Sequence, residues 1–105
     1  MHNIGINKAF LVARMNNGFC FYCDDPSEVV DHFISKKKYR KDYEYVQESG
    51  SADQLGNLVP ACRKCNAHKG TRAAWQFIQT IIPELEDQAA RDYAVFRLVQ
   101  VNPYF

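Results

Sequence analysis

The sequence lacks the features that mark several classes of protein. Its longest apolar run, residues 9–13, falls far short of the roughly 20 residues that span a bilayer. Residues 1–7 have neither a basic start nor an apolar stretch, so no signal peptide is visible. No repeat or low-complexity segment is present. We therefore expect a folded cytoplasmic protein without a membrane partner, and neither a secreted chain nor a long disordered one.

Strong net charge is also missing, but the charges are unevenly distributed. The chain has 105 residues and a net charge of +1. Residues 31–72 hold nine basic and five acidic residues, whereas the remainder holds four basic and seven acidic ones. A positive middle segment is a mild indication of a polyanion partner. At this length we expect one small domain, with a single modest core.

Cysteine is scarce but regularly placed. The four cysteines form two Cys-x-x-Cys pairs, Cys20/Cys23 and Cys62/Cys65, and there is no fifth. Without an export signal, a disulfide framework is disfavoured. Two such knuckles supply the four thiolates of a closed tetrahedral zinc site. The alternatives are a thioredoxin-type redox pair, which would leave the other pair unexplained, or unrelated free cysteines. We therefore predict one structural Zn²⁺.

Residue periodicity and turn residues predict an α+β fold. A helix over residues 4–16 should end at Asn16-Asn17-Gly18, because these residues tolerate left-handed backbone. Short strands are expected at residues 28–33 and 57–61, with a long polar loop over residues 35–56 between them. A short helix from residue 62 to about 69 should carry the second knuckle. The expected apolar side of the first helix consists of Ile6, Phe10, Ala13 and either Leu11 or Met15.

Two further helices are expected after Gly70, which should close the knuckle helix. Thr71 should cap the first of them, and Pro83 should begin the second, which runs to residue 99. The apolar positions of the first are Ala74, Trp75, Ile78 and Ile82. The predicted buried stripe of the second consists of Leu85, Ala89, Tyr93, Phe96 and Val99.

A set of polar residues lies between and after the knuckles. Asp31-His32 lies on the first predicted strand, Asn57 opens the second, and Asn66 directly follows Cys65. In this order they resemble the HNH endonucleases, ββα-metal nucleases whose zinc-bearing members carry Cys-x-x-Cys, Asp-His, Asn and Cys-x-x-Cys-Asn. The resemblance covers residues 20–70, about half of the chain, and includes the ending Asn66-Ala67-His68-Lys69-Gly70.

The resemblance implies a small zinc-stapled ββα-metal core, treble-clef-like, within a single nuclease domain over residues 1–105. Helices over residues 4–16 and 71–99 would flank this core. In the family the middle asparagine, here Asn57, holds the loop in place and does not touch metal. An isolated Asn after Gly56 is also a common turn residue.

Phosphodiester hydrolysis needs an activated water and a cation that neutralises charge at phosphorus and at the leaving oxygen. His32 is the candidate general base, since a neutral imidazole can accept a proton from water. Asp31 and Asn66 offer two hard oxygen ligands, which suit Mg²⁺ or Mn²⁺. Neighbours on a regular strand point to opposite faces, so Asp31 and His32 share a site only if the strand ends or bulges there. Otherwise the pair is an ordinary polar strand end.

His68 competes with Asn66 as the metal ligand. Two positions apart on a helix, they face roughly 200° from each other, so only one can face Asp31. The position beside Cys65 favours Asn66. Lys69, one turn from Asn66, is the expected phosphate contact on that face. Further DNA contacts are expected from Arg63, Lys64, Lys37, Lys38 and Arg40, although the basic run over residues 36–41 could equally be a solvated loop.

The sequence thus predicts a metal-dependent endonuclease that hydrolyses DNA, by nicking or by double-strand cleavage. A non-catalytic zinc module that binds nucleic acid or protein is the main alternative, and a small structural protein whose zinc replaces a missing core is a third. The residues Asp31, His32 and Asn66 favour the nuclease, because a binding module needs none of them. One active site cuts one strand, so a homodimer would cut both. Its candidate surface is the last helix with Tyr104-Phe105.

Overall fold

A computed structural model describes residues 6–37 and 52–105, the side chain of Ile6 excepted, and the structural statements below refer to this part of the chain. It has the α+β architecture that the sequence predicts, with four α-helices and one two-stranded sheet in the described residues. Short 3-10 turns cover Met15–Gly18 and Leu55–Asn57. The elements in chain order are α1 (Ile6–Arg14), β1 (Val29–His32), β2 (Leu58–Ala61), α2 (Arg63–Lys69), α3 (Ala74–Ile81) and α4 (Asp87–Val101).

The two strands form an antiparallel hairpin. Its register pairs Val29 with Ala61 at one end and His32 with Leu58 at the other. One backbone hydrogen bond extends the ladder beyond β1, from Phe33 N–H to the Asn57 carbonyl at 2.8 Å. Every residue of β2 is buried, whereas only Asp31 is buried on β1. β2 is therefore the inner strand of the hairpin, and the one fully buried side chain of β1 is the polar Asp31.

Residues with positive φ follow α1 and α2, at the positions where the sequence predicts that these helices end. Asn16, Asn17 and Gly18 have φ values of 54°, 58° and 84°, and they turn the chain after α1. Gly70 has φ 57° and follows α2 directly, with its N–H donating to the Asn66 carbonyl at 3.1 Å. A side chain at Gly70 would be strained in this conformation.

The main core joins both ends of the chain to the hairpin. Its buried residues come from α1, from the segment around the first knuckle, from β2, and from the last two helices. The most buried of them are Val12, Phe21, Leu58, Val59, Ala74, Ile78, Ala94 and Leu98. Because α1, α3 and α4 share one core with β2, the flanking helices pack on the hairpin and do not form a unit of their own.

The expected apolar side of α1 is largely wrong. Val12 and Met15 are buried, whereas Phe10, Leu11 and Ala13 are exposed. Among the described side chains of this set, only Met15, one of the two alternatives for the last position, was placed correctly, and the side chain of Ile6 lies outside the described residues. The helix is so rich in apolar residues that its period does not identify one face, and contact with the hairpin decides which face is buried.

The expected stripe of the last helix is also largely wrong, since only Leu85, which lies before the helix, packs against the core. The helix begins at Asp87, after Pro83, and its exposed residues include Ala89, Tyr93, Phe96 and Val99. The buried side consists of Ala90, Ala94, Leu98 and Val101. The first two are small, and they allow α4 to approach α3 closely, which gives the most extensive contact between described elements. Large aromatic residues suggested the core side, but small residues at the helix contact determine it.

The start of α3 differs from the prediction in one respect. Ala73, and not Thr71, occupies the cap position, and its N–H donates to the side-chain oxygen of Gln76 at 3.2 Å. Ala74 and Ile78 are buried as expected, while Trp75 is half-buried with the Arg91 guanidinium 4.9 Å from its ring centre. Among the described helices none has both the length and the apolar character to cross a membrane.

Candidate functional site

The four cysteines converge at the Val29–Ala61 end of the hairpin. Their sulfur atoms all lie within 4.8 Å of one another, and the Cys23 and Cys62 sulfurs are 3.6 Å apart. Zinc with Zn–S bonds of about 2.3 Å at tetrahedral angles places its sulfurs about 3.8 Å apart. The number, chemistry and spacing of the donors are therefore compatible with one zinc ion, as the sequence predicted.

Backbone geometry around the cysteines prepares this cluster. In the first knuckle, Tyr22 N–H donates to the Cys20 sulfur at 3.3 Å, and Asp24 adopts left-handed backbone with φ 63°. In the second, Cys62 precedes α2, and its sulfur accepts from Cys65 N–H at 3.4 Å. The two tight turns point the sulfurs of each pair toward one point.

The cysteine thiols differ in acidity. Burial raises the pKa of Cys23 to about 11, and burial also raises the pKa of Cys65. Burial opposes ionisation of Cys62 as well, but hydrogen bonds from the Cys65 backbone and from neighbouring thiols outweigh it and lower the Cys62 pKa. Zinc requires thiolates, so its uptake should release protons and should weaken as the pH falls.

Asp31 lies inside the molecule, between the hairpin and α2. The Tyr22 hydroxyl donates to its Oδ2 atom at 2.6 Å, and the Lys69 ammonium is 3.3 Å from the same oxygen. Lys69 also donates to the His32 backbone carbonyl at 2.8 Å. Within the described ranges, 6–37 and 52–105, both contacts to Asp31 use Oδ2, and none is seen at Oδ1.

The predicted phosphate contact of Lys69 is wrong in this structure. Its side chain has 0% of its surface exposed, because it stands one turn after Cys65 on the inward face of α2. Burial lowers the pKa of Lys69 and raises that of Asp31, while each partner opposes the shift of the other. Burial and the Asp31 carboxylate also raise the pKa of the Tyr22 hydroxyl. Lys69 therefore stabilises the Asp31-His32 segment from within and does not face solvent.

His32 occupies the opposite face of β1 from Asp31. The strand stays in regular register to its end, so the two neighbouring side chains diverge as strand geometry requires. The imidazole Nε2 lies 2.7 Å from Oδ1 of Asp53, and the two side chains are only 15% and 13% exposed. The strand ends at His32 but has no bulge there, so Asp31 and His32 have different partners, and their joint use of one site stays a prediction.

Asp53 is the residue that sequence reasoning missed. It is one of several acidic residues within the predicted loop, and nothing in the local pattern separates it from Asp42, Glu44 or Glu48. The partner of His32 becomes visible only once the chain has folded back along β1.

Asn57 ties together the two segments that flank the His32 end of the hairpin. Its Oδ1 accepts from Ile34 N–H at 2.8 Å. Its Nδ2 donates to the carbonyls of Ile34 and Ala52, both at 2.9 Å. These buried backbone contacts agree with the loop-holding role that the resemblance implies for Asn57.

Asn66 and His68 lie on different sides of α2. Asn66 is half-buried and stands three positions before Lys69, whose ammonium reaches Asp31. His68 is exposed and, with Lys64 and Arg72, lines a groove of about 470 Å³ beside the cysteine cluster. Helix geometry thus places Asn66 nearer than His68 to the direction of the Lys69 side chain, and the choice of Asn66 as metal ligand stays a prediction.

The remaining residues predicted to contact DNA are only partly described. Arg63, Lys64 and Lys37 are exposed, and the Arg63 Nε atom lies 3.5 Å from a carboxylate oxygen of Glu28. Lys38 and Arg40 lie outside the described residues.

A sequence model of one protein family, described as HNH endonuclease, matches residues 20–72, just over half of the chain. The chain belongs to the HNH endonuclease family. The matched HNH domain contains both knuckles, the hairpin and α2, which are the elements that form the cysteine cluster and the Asp31-His32 site. No curated protein and no solved structure matches the chain. Membership of this family indicates a nuclease-type function.

Proposed function

We propose that the protein is a metal-dependent endonuclease that hydrolyses phosphodiester bonds in DNA, by nicking or by double-strand cleavage. The observation that carries the proposal is the His32 imidazole, bonded to a carboxylate at the end of β1 beside Asp31. A merely polar strand end would leave this imidazole in solvent. Its location within the matched HNH domain supports its role as general base.

The proton chemistry is assigned to His32. A neutral imidazole accepts the proton of the attacking water and so produces the nucleophile at phosphorus. The bond from Lys69 to the His32 carbonyl fixes the backbone of this residue, and the bond to Asp53 fixes its ring. Such fixed geometry is what a general base needs, because proton transfer depends on hydrogen-bond distance.

Asp31 and Asn66 are the residues that would hold Mg²⁺ or Mn²⁺. When bound, such a cation neutralises charge on the phosphate and on the departing 3′ oxygen. A carboxylate oxygen of Asp31 and the amide oxygen of Asn66 are the hard donors that we assign to this cation. Because Lys69 already offsets the charge of Asp31, we expect weak metal affinity in the absence of DNA.

The four cysteines, Cys20, Cys23, Cys62 and Cys65, would hold a structural Zn²⁺. It would join the open end of the hairpin to the start of α2, and thereby set the position of Asn66 against Asp31. Free thiols suit the reducing cytoplasm, where we place the protein.

DNA binding is assigned to lysine and arginine side chains of the chain. Arg63, Lys64 and Lys37 are exposed and are proposed to contact phosphates, together with Lys38 and Arg40. We propose residues 1–105 as one domain, because the described helices share a single core with the hairpin. Each copy would cut one strand, so double-strand breaks would need a homodimer or two encounters.

One observation favours the non-catalytic alternative. The Asp31 carboxylate already has internal partners in Tyr22 and Lys69, as a purely structural aspartate would. Incubation of supercoiled plasmid with the protein and Mg²⁺, with an EDTA control and a gel shift in EDTA, separates the two functions. We expect Mg²⁺-dependent nicked or linear product. A retained gel shift without any cleavage in Mg²⁺ or Mn²⁺ would instead establish the binding module.

A further inference from the structure

We infer that Asp53 is a positioning residue for His32, and that its carboxylate selects the imidazole tautomer in which Nδ1 accepts the proton from water. The inference rests on the proposed function, since it concerns the same site. It assigns a role to a residue that neither the sequence motif nor the family match singles out.

The hydrogen bond determines which ring nitrogen carries the proton. Oδ1 of Asp53 and Nε2 of His32 are 2.7 Å apart, which is at the short end for N–H···O bonds. A carboxylate can only accept a hydrogen bond, so Nε2 must donate. In the neutral ring the lone pair is then on Nδ1. Low exposure of both side chains limits competition from water for this bond.

The fold holds Asp53 in place through its backbone. The Asn57 side chain donates to the Ala52 carbonyl at 2.9 Å, and Asn57 N–H donates to the Gln54 carbonyl at 2.9 Å. From α1, the Lys8 ammonium donates to the carbonyl of Asp53 itself at 3.1 Å. Contacts thus constrain the residue and both of its neighbours, and the carboxylate is directed at His32.

The buried Asn57 side chain connects the Asp53 segment to the segment that follows His32. Its other contacts bind Ile34, two residues after His32. One amide therefore sets the distance between the segment that follows the base and the segment that carries the carboxylate. The contacts of Asn57 with Ile34 alone would hold the loop. Its contact with Ala52 is also needed to align Asp53 with the imidazole.

The Asp53→Asn substitution tests the tautomer directly. An amide in this position can donate to Nε2, which moves the ring proton to Nδ1 and blocks it as a base. In the Ser-His-Asp hydrolases the same change lowers kcat by about 10⁴-fold for this reason. We expect kcat of Asp53→Asn to fall by about 10²–10⁴-fold with KM for DNA nearly unchanged. The matched control is Asp92→Asn on the exposed side of α4, with kcat unchanged.

The second readout is the ¹⁵N chemical shifts of His32, which report the protonated nitrogen whether or not the protein cleaves DNA. The wild type should be protonated at Nε2 and Asp53→Asn at Nδ1, with zinc content and melting temperature retained. Asp53→Glu keeps an acceptor and should recover part of kcat. An unchanged tautomer, or a kcat loss below tenfold in folded Asp53→Asn, would overturn the inference. Failure of the wild type to cleave DNA would overturn the nuclease function, while the shifts would still decide what Asp53 does.

Discussion

The two ends of the hairpin are built in different ways. At the Val29–Ala61 end, four like side chains from two local pairs surround one point. At the His32–Leu58 end, the polar groups have different partners that are distant in sequence. Asp53 is 21 positions from His32, and the Lys69 ammonium donates to the His32 carbonyl, 37 positions away. The ligands of a structural ion can be recognised from short spacings in the sequence, whereas an arrangement for proton transfer depends on the whole fold.

The two ends also divide stability from chemistry. Three of the four cysteines are buried, and all of them would be consumed as ligands in a closed site. At the other end His32 keeps partial access to solvent, and both contacts that the described residues make to the Asp31 carboxylate use the same oxygen. Loss of a cysteine at the first end should therefore unfold the chain, whereas loss of the His32 or Asn66 side chain should leave it folded but inactive.

The largest effect is expected at the cysteine end. Cys62→Ser should give an unfolded or aggregating chain, because structural zinc contributes on the order of 10–16 kcal/mol in finger peptides and a small domain is stable by only about 5–15 kcal/mol. Zinc content and circular dichroism measure this. His68→Ala, in the neighbouring groove, is the control and should retain both. A folded protein without zinc would show that the two ends do not differ as described.

The next effect separates the two sides of α2. Asn66→Ala should lower the rate of DNA cleavage by about 10³-fold, since the cation supplies several kcal/mol of transition-state stabilisation. Asn66→Asp keeps an oxygen at the same reach and should retain activity with Mg²⁺ and Mn²⁺. His68→Ala should cleave normally. An essential His68 beside a dispensable Asn66, with a preference for Zn²⁺, Ni²⁺ or Co²⁺, would move the metal to the other side of the helix.

Lys69 tests whether the His32 end also supports the fold. Lys69→Met should lower the free energy of unfolding by about 3–4 kcal/mol, because it leaves the Asp31 carboxylate buried without its cation. Denaturant unfolding measures the loss. Lys64→Met, exposed on the same helix, should change it by less than about 0.5 kcal/mol. Equal values for the two lysines would mean that Lys69 is not buried in solution.

The smallest effects are expected on α4, where the predicted and observed faces differ. Leu98→Ala should cost about 2–3 kcal/mol of unfolding free energy, since this side chain is buried. Phe96 is 59% exposed, so Phe96→Ala should cost less than about 0.5 kcal/mol despite removing a larger group. Thermal melts of the two variants compare them. A larger stability loss for Phe96→Ala than for Leu98→Ala would support the buried stripe predicted from the sequence.

The features that were predictable are those whose cause is local. Spacing identified the cysteine cluster, β-branched residues identified the hairpin, and Gly70 marked the end of α2. The faces of α1 and α4 were not predictable, because both helices are apolar on more than one side and tertiary contact selects among the faces. Lys69 was misplaced because a lysine is usually exposed, and only the position of Asp31 after folding makes its burial tolerable.

His32 is proposed to act in catalysis and not in folding. The most direct measurement compares wild type and His32→Ala in three assays on the same preparation: plasmid cleavage in Mg²⁺, DNA binding by gel shift, and zinc content. We expect cleavage by His32→Ala to fall by about 10²–10⁴-fold while DNA binding and zinc content stay at wild-type levels. Nicking by His32→Ala at a rate near that of the wild type would contradict it.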